Sequence, residues 1–226
     1  MGMLYLIGIV FAAIGWLVQM QLKNKFAQYS KITLLNHLSG KEIAERMLKE
    51  NGIYDVKVIS VAGQLTDHYN PTDKTVNLSN DVYHGRSAAA AAVSAHEVGH
   101  AIQHATAYAM LGFRSAIVPI VNVAGTMMPW ILMAGVLLLS RFPGLLLAAI
   151  VAQAIITLFS LITLPVEFDA SRRALAWMQS NGIVVAQEYD AARDALKWAA
   201  MTYVVAALAA IAQLVYLISR YSNSRR

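Results

Sequence analysis

The chain contains no cysteine. That excludes disulfides and every thiolate metal site, and any tightly held metal must rely on histidine and carboxylate. Charge is scarce too. Asp, Glu, Lys and Arg make up 14% of the sequence against 58% hydrophobic residues, more apolar surface than a soluble domain of 226 residues can hide. The scarcity is uneven: the runs 1–22, 115–140, 142–166 and 198–219 hold no charged residue at all. About 20 apolar helical residues cross the hydrocarbon core of a bilayer, so each run is long enough. We expect four transmembrane helices, near 3–20, 116–140, 144–165 and 199–219. In the second, Pro119 and Pro129 suggest a kink, and Asn122 and Thr126 suggest a face turned to other helices and away from lipid.

The first run also lacks a basic stretch before it and a small-x-small cleavage site after it, so it reads as an uncleaved signal anchor. The formal net charge is +5, but the basic residues flank the apolar runs and form no single stripe. That pattern fits contact with the lipid bilayer and argues against nucleic acid.

Residues 21–114 form the main extramembrane segment and 166–198 a shorter one. Ser39 and Glu42 have capping-box spacing for a helix to about Glu50, which Asn51-Gly52 then stops. Residues 56–61 read as a strand. Residues 65–79 read as a β-hairpin turning at Asn70-Pro71-Thr72-Asp73. An alanine-rich stretch without proline predicts a helix over 87–111, with the alanines at 88–92 as filler. A further helix is expected from about 185 to 200. No internal repeat is present.

The chemistry is concentrated in SAHEVGHAIQHA, residues 94–105. Helix residues four apart share a face, so His96 and His100 can hold one tetrahedral Zn²⁺. Glu97 lies beside them, off the ligand face, as the general base of an HExxH arrangement. Ala95, Gly99 and Ala101 leave room for close approach. His104 shares the face but lies two turns from His96, about 12 Å along the axis, while metal–nitrogen bonds are about 2 Å. His104 is therefore a second-shell or packing residue. The third ligand must come from elsewhere. A two-helix hairpin through the spans 116–140 and 144–165 returns the chain to the same membrane face, where Glu167 emerges. Glu167 is preferred over Asp169, the other candidate, because on a helix Glu167 shares a face with Ser171 and Asp169 points away.

HEVGHAIQH, followed after that hairpin by LPVEFDASRRAL, resembles the family of bacterial integral-membrane neutral zinc metallopeptidases. GQLTDHYNP, NLSNDVYHGRS and WAAMTYVVAAL fit it too, and the likeness covers nearly the whole chain. More distantly, the chain is similar to the membrane gluzincins, which pair an HExxH helix with a glutamate on a later helix. The resemblance implies a membrane-embedded zinc endopeptidase of the bacterial plasma membrane acting on a peptide or membrane-protein substrate. One Zn²⁺ per chain would be held by His96, His100 and Glu167, with Glu97 as catalytic base. The implied fold is mainly α and integral to the membrane. It has about four transmembrane helices, a zincin-like extramembrane α+β part with a small β-hairpin, and one domain spanning 1–226. Gluzincins commonly carry an Asp four residues after the glutamate ligand, where this chain has Ser171. Either Ser171 makes that hydrogen bond to a ligand histidine, or Asp169 serves instead.

His68 and His84 are read as turn residues, with oxyanion stabilisation the alternative. Arg172 and Arg173 are read as membrane-boundary anchors, and the strand near 75–78 as a possible docking edge for an extended peptide. Lys23, Lys25, Lys31, Arg114, Arg172, Arg173 and Lys197 flank the spans on the zinc side, against Arg141, Arg220, Arg225 and Arg226 on the other. This bias places the zinc loops in the cytoplasm and both termini outside. Two other functions compete. A non-catalytic zinc-binding membrane module or partner scaffold would need a fourth protein ligand, with His68 or His84 as candidates. A solute carrier is disfavoured because no charge lies inside the spans.

Overall fold

The computed structural model describes residues 2–138 and 144–224, so residues 139–140 of the second expected span, and Arg141, Arg225 and Arg226, lie outside the described residues. The order is α1 (Gly2–Tyr29), α2 (Gly40–Glu50), β1 (Lys57–Val61), β2 (His68–Asn70), β3 (Thr75–Ser79), α3 (Asn80–Tyr83), α4 (Ala88–Ala105), α5 (Ala109–Leu138), α6 (Gly144–Ser180) and α7 (Ala186–Ser224). The chain is mainly helical. Helices α1, α5, α6 and α7 are each long and apolar enough to cross a membrane. The chain divides into two units. One comprises Met1–Val18, Gly112–Leu164 and Thr202–Arg226, and the other Gln19–Leu111 and Pro165–Met201.

In the first unit, Ala124, Met128, Leu146, Ala149, Ala152 and Leu217 make a small apolar core. Large apolar side chains such as Ile9, Val123, Trp130 and Val215 stay exposed, as lipid-facing positions do. Polar groups inside the unit find partners: Gln153 Nε2 and Thr157 Oγ1 both donate to the Ala210 carbonyl, at 3.1 and 3.2 Å. The small Ala210 lets those side chains reach α7. Helix α5 runs through both prolines. Among its described side chains the buried ones are Ala124 and Met128, whereas Asn122 and Thr126 are exposed, contrary to expectation. Thr126 satisfies its hydroxyl locally, on the Asn122 carbonyl at 2.8 Å, and needs no neighbouring helix.

The second unit is built around α4. The predicted capping box starts α2: Ser39 Oγ accepts from Glu42 N at 3.3 Å, and Glu42 Oε2 accepts from Ser39 N at 2.7 Å. Asn51-Gly52 ends α2, with Gly52 at φ 72° as that turn requires. The expected hairpin forms, with β2 and β3 antiparallel and Asn70 Oδ1 accepting from Thr72 N in the turn at 2.9 Å. Strand β1 then joins β3 in parallel, so the sheet order is β1-β3-β2. The peptide-docking edge suggested near 75–78 is therefore the central strand, with both its edges already paired.

The alanines at 88–92 are no filler. All five are buried in the core that also holds Leu34, Ile43, Met47, Val76, Leu78 and Val82. Their small side chains let α4 lie close to its neighbours. The helix expected over 87–111 breaks at residues 106–108. Tyr108 N bonds Gln103 O at 2.9 Å and Ala107 N bonds His104 O at 3.1 Å, a Schellman stop with Ala107 at φ 50°. Alanine stands where glycine normally marks this turn, which hides it from the sequence. Conversely, α6 runs on past the end of the span expected over 144–165, through Pro165, to Ser180. Proline removes one backbone donor, and long apolar helices tolerate the loss.

Candidate metal centre

The α-helical repeat of α4 brings His96 and His100 to one face. Their rings lie edge to face with centroids 4.8 Å apart. Helix α6 crosses α4 at Gly99. A Cβ there would stand 2.7 Å from the Ala170 carbonyl oxygen and 3.1 Å from the Ala170 Cα, so only glycine permits this approach. The crossing delivers Glu167, itself buried. Its Oε2 lies 3.3 Å from His96 Nε2 and 3.5 Å from His100 Nε2. Tetrahedral bonds of about 2 Å place ligand atoms about 3.3 Å apart. The three side chains therefore match a tetrahedral zinc site, and among the described residues this metal-capable group has these three members.

The far nitrogens are also fixed. Gln103 is fully buried, and its amide nitrogen donates to Val166 O at 2.8 Å and to Asp169 Oδ2 at 3.0 Å. With the nitrogen committed, Gln103 Oε1 faces His100 Nδ1 at 3.0 Å. Nδ1 then carries the proton and Nε2 keeps its lone pair for a metal. Ser171 Oγ lies 3.1 Å from His96 Nδ1 and anchors the far nitrogen of the other ring. The alternatives for Ser171 and Asp169 are thus divided between the two histidines: Ser171 serves His96, and Asp169 serves His100 through Gln103. Asp169 is held in turn by Arg172 and by Arg173, the latter at 2.6 Å. Burial alone would lower the pKa of His100, but Glu167, Glu97 and Gln103 outweigh it and hold it above the usual imidazole value. The field of the carboxylates thus favours positive charge at this point.

The family model described as "Putative neutral zinc metallopeptidase" matches residues 4–222. The chain belongs to this family. It is also 41% identical over 220 residues, 96% of each chain, to "Putative membrane protease YugP" of Bacillus subtilis (strain 168). No solved structure matches. Family membership implies zinc, and the His96–His100–Glu167 group is the site that fits it.

The other histidines stand apart from the cluster. His104 is exposed, and its Nδ1 lies 2.8 Å from the Tyr69 hydroxyl. His68 bonds the Thr66 carbonyl at 2.8 Å, and His84 caps α3 against the Tyr83 ring. Both fit the turn reading. Sequence reasoning missed Gln103, although its place three residues after His100 puts it on the same helical face. It also missed Asp67. This carboxylate accepts from Ser79 N at 2.7 Å and from Ser79 Oγ at 3.1 Å. Burial pushes its pKa up, and the Glu97 charge adds to the rise.

The Gly99 crossing makes a prediction. Gly99→Ala will lower the stability of the metal-free protein by about 1–3 kcal/mol despite alanine's better helix propensity, because the clash is with backbone. Zinc affinity will fall with it, since α6 must retreat. An unchanged thermal midpoint and zinc affinity would show that the crossing is loose.

Proposed function

We propose that this chain is a membrane-embedded zinc-dependent endopeptidase, with His96, His100 and Glu167 as ligands to one Zn²⁺ per chain and Glu97 as general base. The observation that carries the reading is the ligand spacing: two imidazole nitrogens and one carboxylate oxygen at tetrahedral separations, with three members in the group. Structural zinc sites close with four protein ligands, whereas catalytic ones keep a position open. His68 and His84, which could have closed the site of a non-catalytic module, lie in turns with other partners. The three-member group therefore supports an enzyme over a scaffold.

When bound, zinc supplies Lewis acidity, polarising the scissile carbonyl and acidifying water. The chain's own residues do the rest. Glu97 follows His96 on α4 and is buried, so its carboxylate is shielded from bulk solvent. It removes the proton from the attacking water and returns it to the leaving amine. Gln103 holds His100 in the tautomer that aims Nε2 at the ligand point, and Ser171 steadies the His96 ring through its far nitrogen.

In this reading residues 1–226 work as one membrane metallopeptidase. The spans anchor it in the bacterial plasma membrane, and segments 21–114 and 166–198 act on a peptide or membrane protein near the bilayer. The basic residues flanking the spans support a cytoplasmic active face. The test is metal removal. Full-length protein should hold about one zinc per chain, lose cleavage of an unstructured peptide when stripped by a chelator, and regain it with Zn²⁺. Cleavage that survives complete stripping would overturn the assignment.

A further inference from the structure

We propose that the groove between α6 and the first half of α7 binds the phosphate of an anionic glycerophospholipid. The groove adjoins the metal centre, since Ser171 lines it and also meets His96, but it holds none of the three ligand residues, and the proposal does not rest on the peptidase reading. The groove has a volume of about 440 Å³, and its walls include Phe168, Arg172, Arg193, Leu196, Lys197 and Met201. Its chemistry is graded along its length. On α7, Lys197 directly precedes the charge-free run 198–219, and Arg193 lies one helical turn earlier. On α6, Arg172 stands six residues past the charge-free run 142–166, about 9 Å along the axis. The polar layer on each side of the hydrocarbon core is about 5–8 Å thick. Arg193 and Lys197 thus lie at the depth of lipid phosphates, with Arg172 at the outer edge of that layer. Towards the apolar runs the groove is lined by Phe168, Ala200 and Met201, of which Phe168 is 48% exposed.

The charge at this depth is unbalanced. Asp169 is one carboxylate facing two guanidiniums, Arg172 and Arg173, so that cluster keeps a net positive charge. Of the acids on α7, Glu188 accepts from the Leu35 and Val185 backbone, Asp190 is exposed and makes no ion pair among the described residues, and Asp194 accepts from the Tyr29 hydroxyl at 2.5 Å and pairs with Lys25 at 2.9 Å. Lys197 reaches it only as a further cation nearby. Among the described residues, neither Arg193 nor Lys197 has an ion pair. A phosphate monoanion supplies part of the missing charge, and an acyl chain covers the apolar end. A peptide carboxylate would satisfy the cations but leave Phe168 and Met201 bare, which is why the lipid is favoured.

The test uses the full-length protein in detergent, with lipid retention read by native mass spectrometry. Wild type should keep dioleoylphosphatidylglycerol in preference to dioleoylphosphatidylcholine. Each cation near an anionic lipid surface strengthens binding about fivefold, so the Arg193→Gln/Lys197→Gln variant should bind phosphatidylglycerol about tenfold or more weakly. Lys49→Gln/Lys57→Gln, which removes the same charge far from the spans, should bind it as wild type does. Matching circular dichroism melts will show that the variants fold. If the double variant fails to fold, Lys197→Gln alone should show about a fivefold loss. Equal retention of both lipids by wild type, or undiminished retention by the groove variant, would overturn the proposal. Displacement of the lipid by equimolar glycerol phosphate would assign the groove to free phosphate. Undiminished lipid binding, with loss of cleavage only for peptides bearing a free C-terminal carboxylate, would assign it to substrate.

Discussion

Glu97→Gln is expected to abolish peptide hydrolysis and leave the metal in place. The substitution keeps the size and one hydrogen-bonding oxygen of the side chain but cannot accept a proton. General-base catalysis contributes about 10²–10⁴-fold, so turnover should fall by that factor. Glu97 is absent from the metal-capable group, so zinc content should remain about one per chain. Elemental mass spectrometry and a peptide-cleavage assay on the same preparation separate the two effects. Normal turnover would remove Glu97 from the mechanism. Loss of both zinc and turnover would move it into the ligand set.

The second large effect concerns the ligands. Glu167→Gln, His96→Ala and His100→Ala should each lower zinc affinity by more than the roughly 10–100-fold that loss of an outer hydrogen-bond partner costs. Glu167 is the informative member, because it comes from a helix remote in sequence. It is buried against two imidazoles at 3.3 and 3.5 Å, and its charge would offset that of a bound metal. The amide cannot supply that charge. A zinc titration with a competing chelator gives the affinities, and circular dichroism shows whether each variant is folded. Unchanged affinity in Glu167→Gln would place the third ligand elsewhere. Unchanged affinity in either histidine variant would undo the site.

Some of this architecture was legible because its causes are local. The charge-free runs predict long apolar helices, since a charge in hydrocarbon is costly wherever the chain goes. The Ser39–Glu42 capping box and the Asn51-Gly52 stop depend on neighbours in sequence and form as expected. The i,i+4 spacing puts His96 and His100 on one face through the helical repeat alone. Other features depend on what lies across the fold. The stop at Ala107 carries no glycine, and helix α6 passes a proline that would ordinarily mark an end. The alanines at 88–92 are a packing surface only because α2 and the sheet lie against them. The placement of β3 between β1 and β2 follows from a parallel pairing that turn signals do not encode.

The sequence by itself determined the chemistry on offer: two imidazoles at one-turn spacing, an adjacent carboxylate and no thiolate. It also named Glu167 as the preferred third member. Only the tertiary structure decided that these groups meet, because that depends on the close crossing of α4 and α6 at Gly99. It also decided that Gln103 and Ser171 take the far nitrogens of the two rings. A ligand's identity is written in its side chain, but its aim is set by whatever packs behind it.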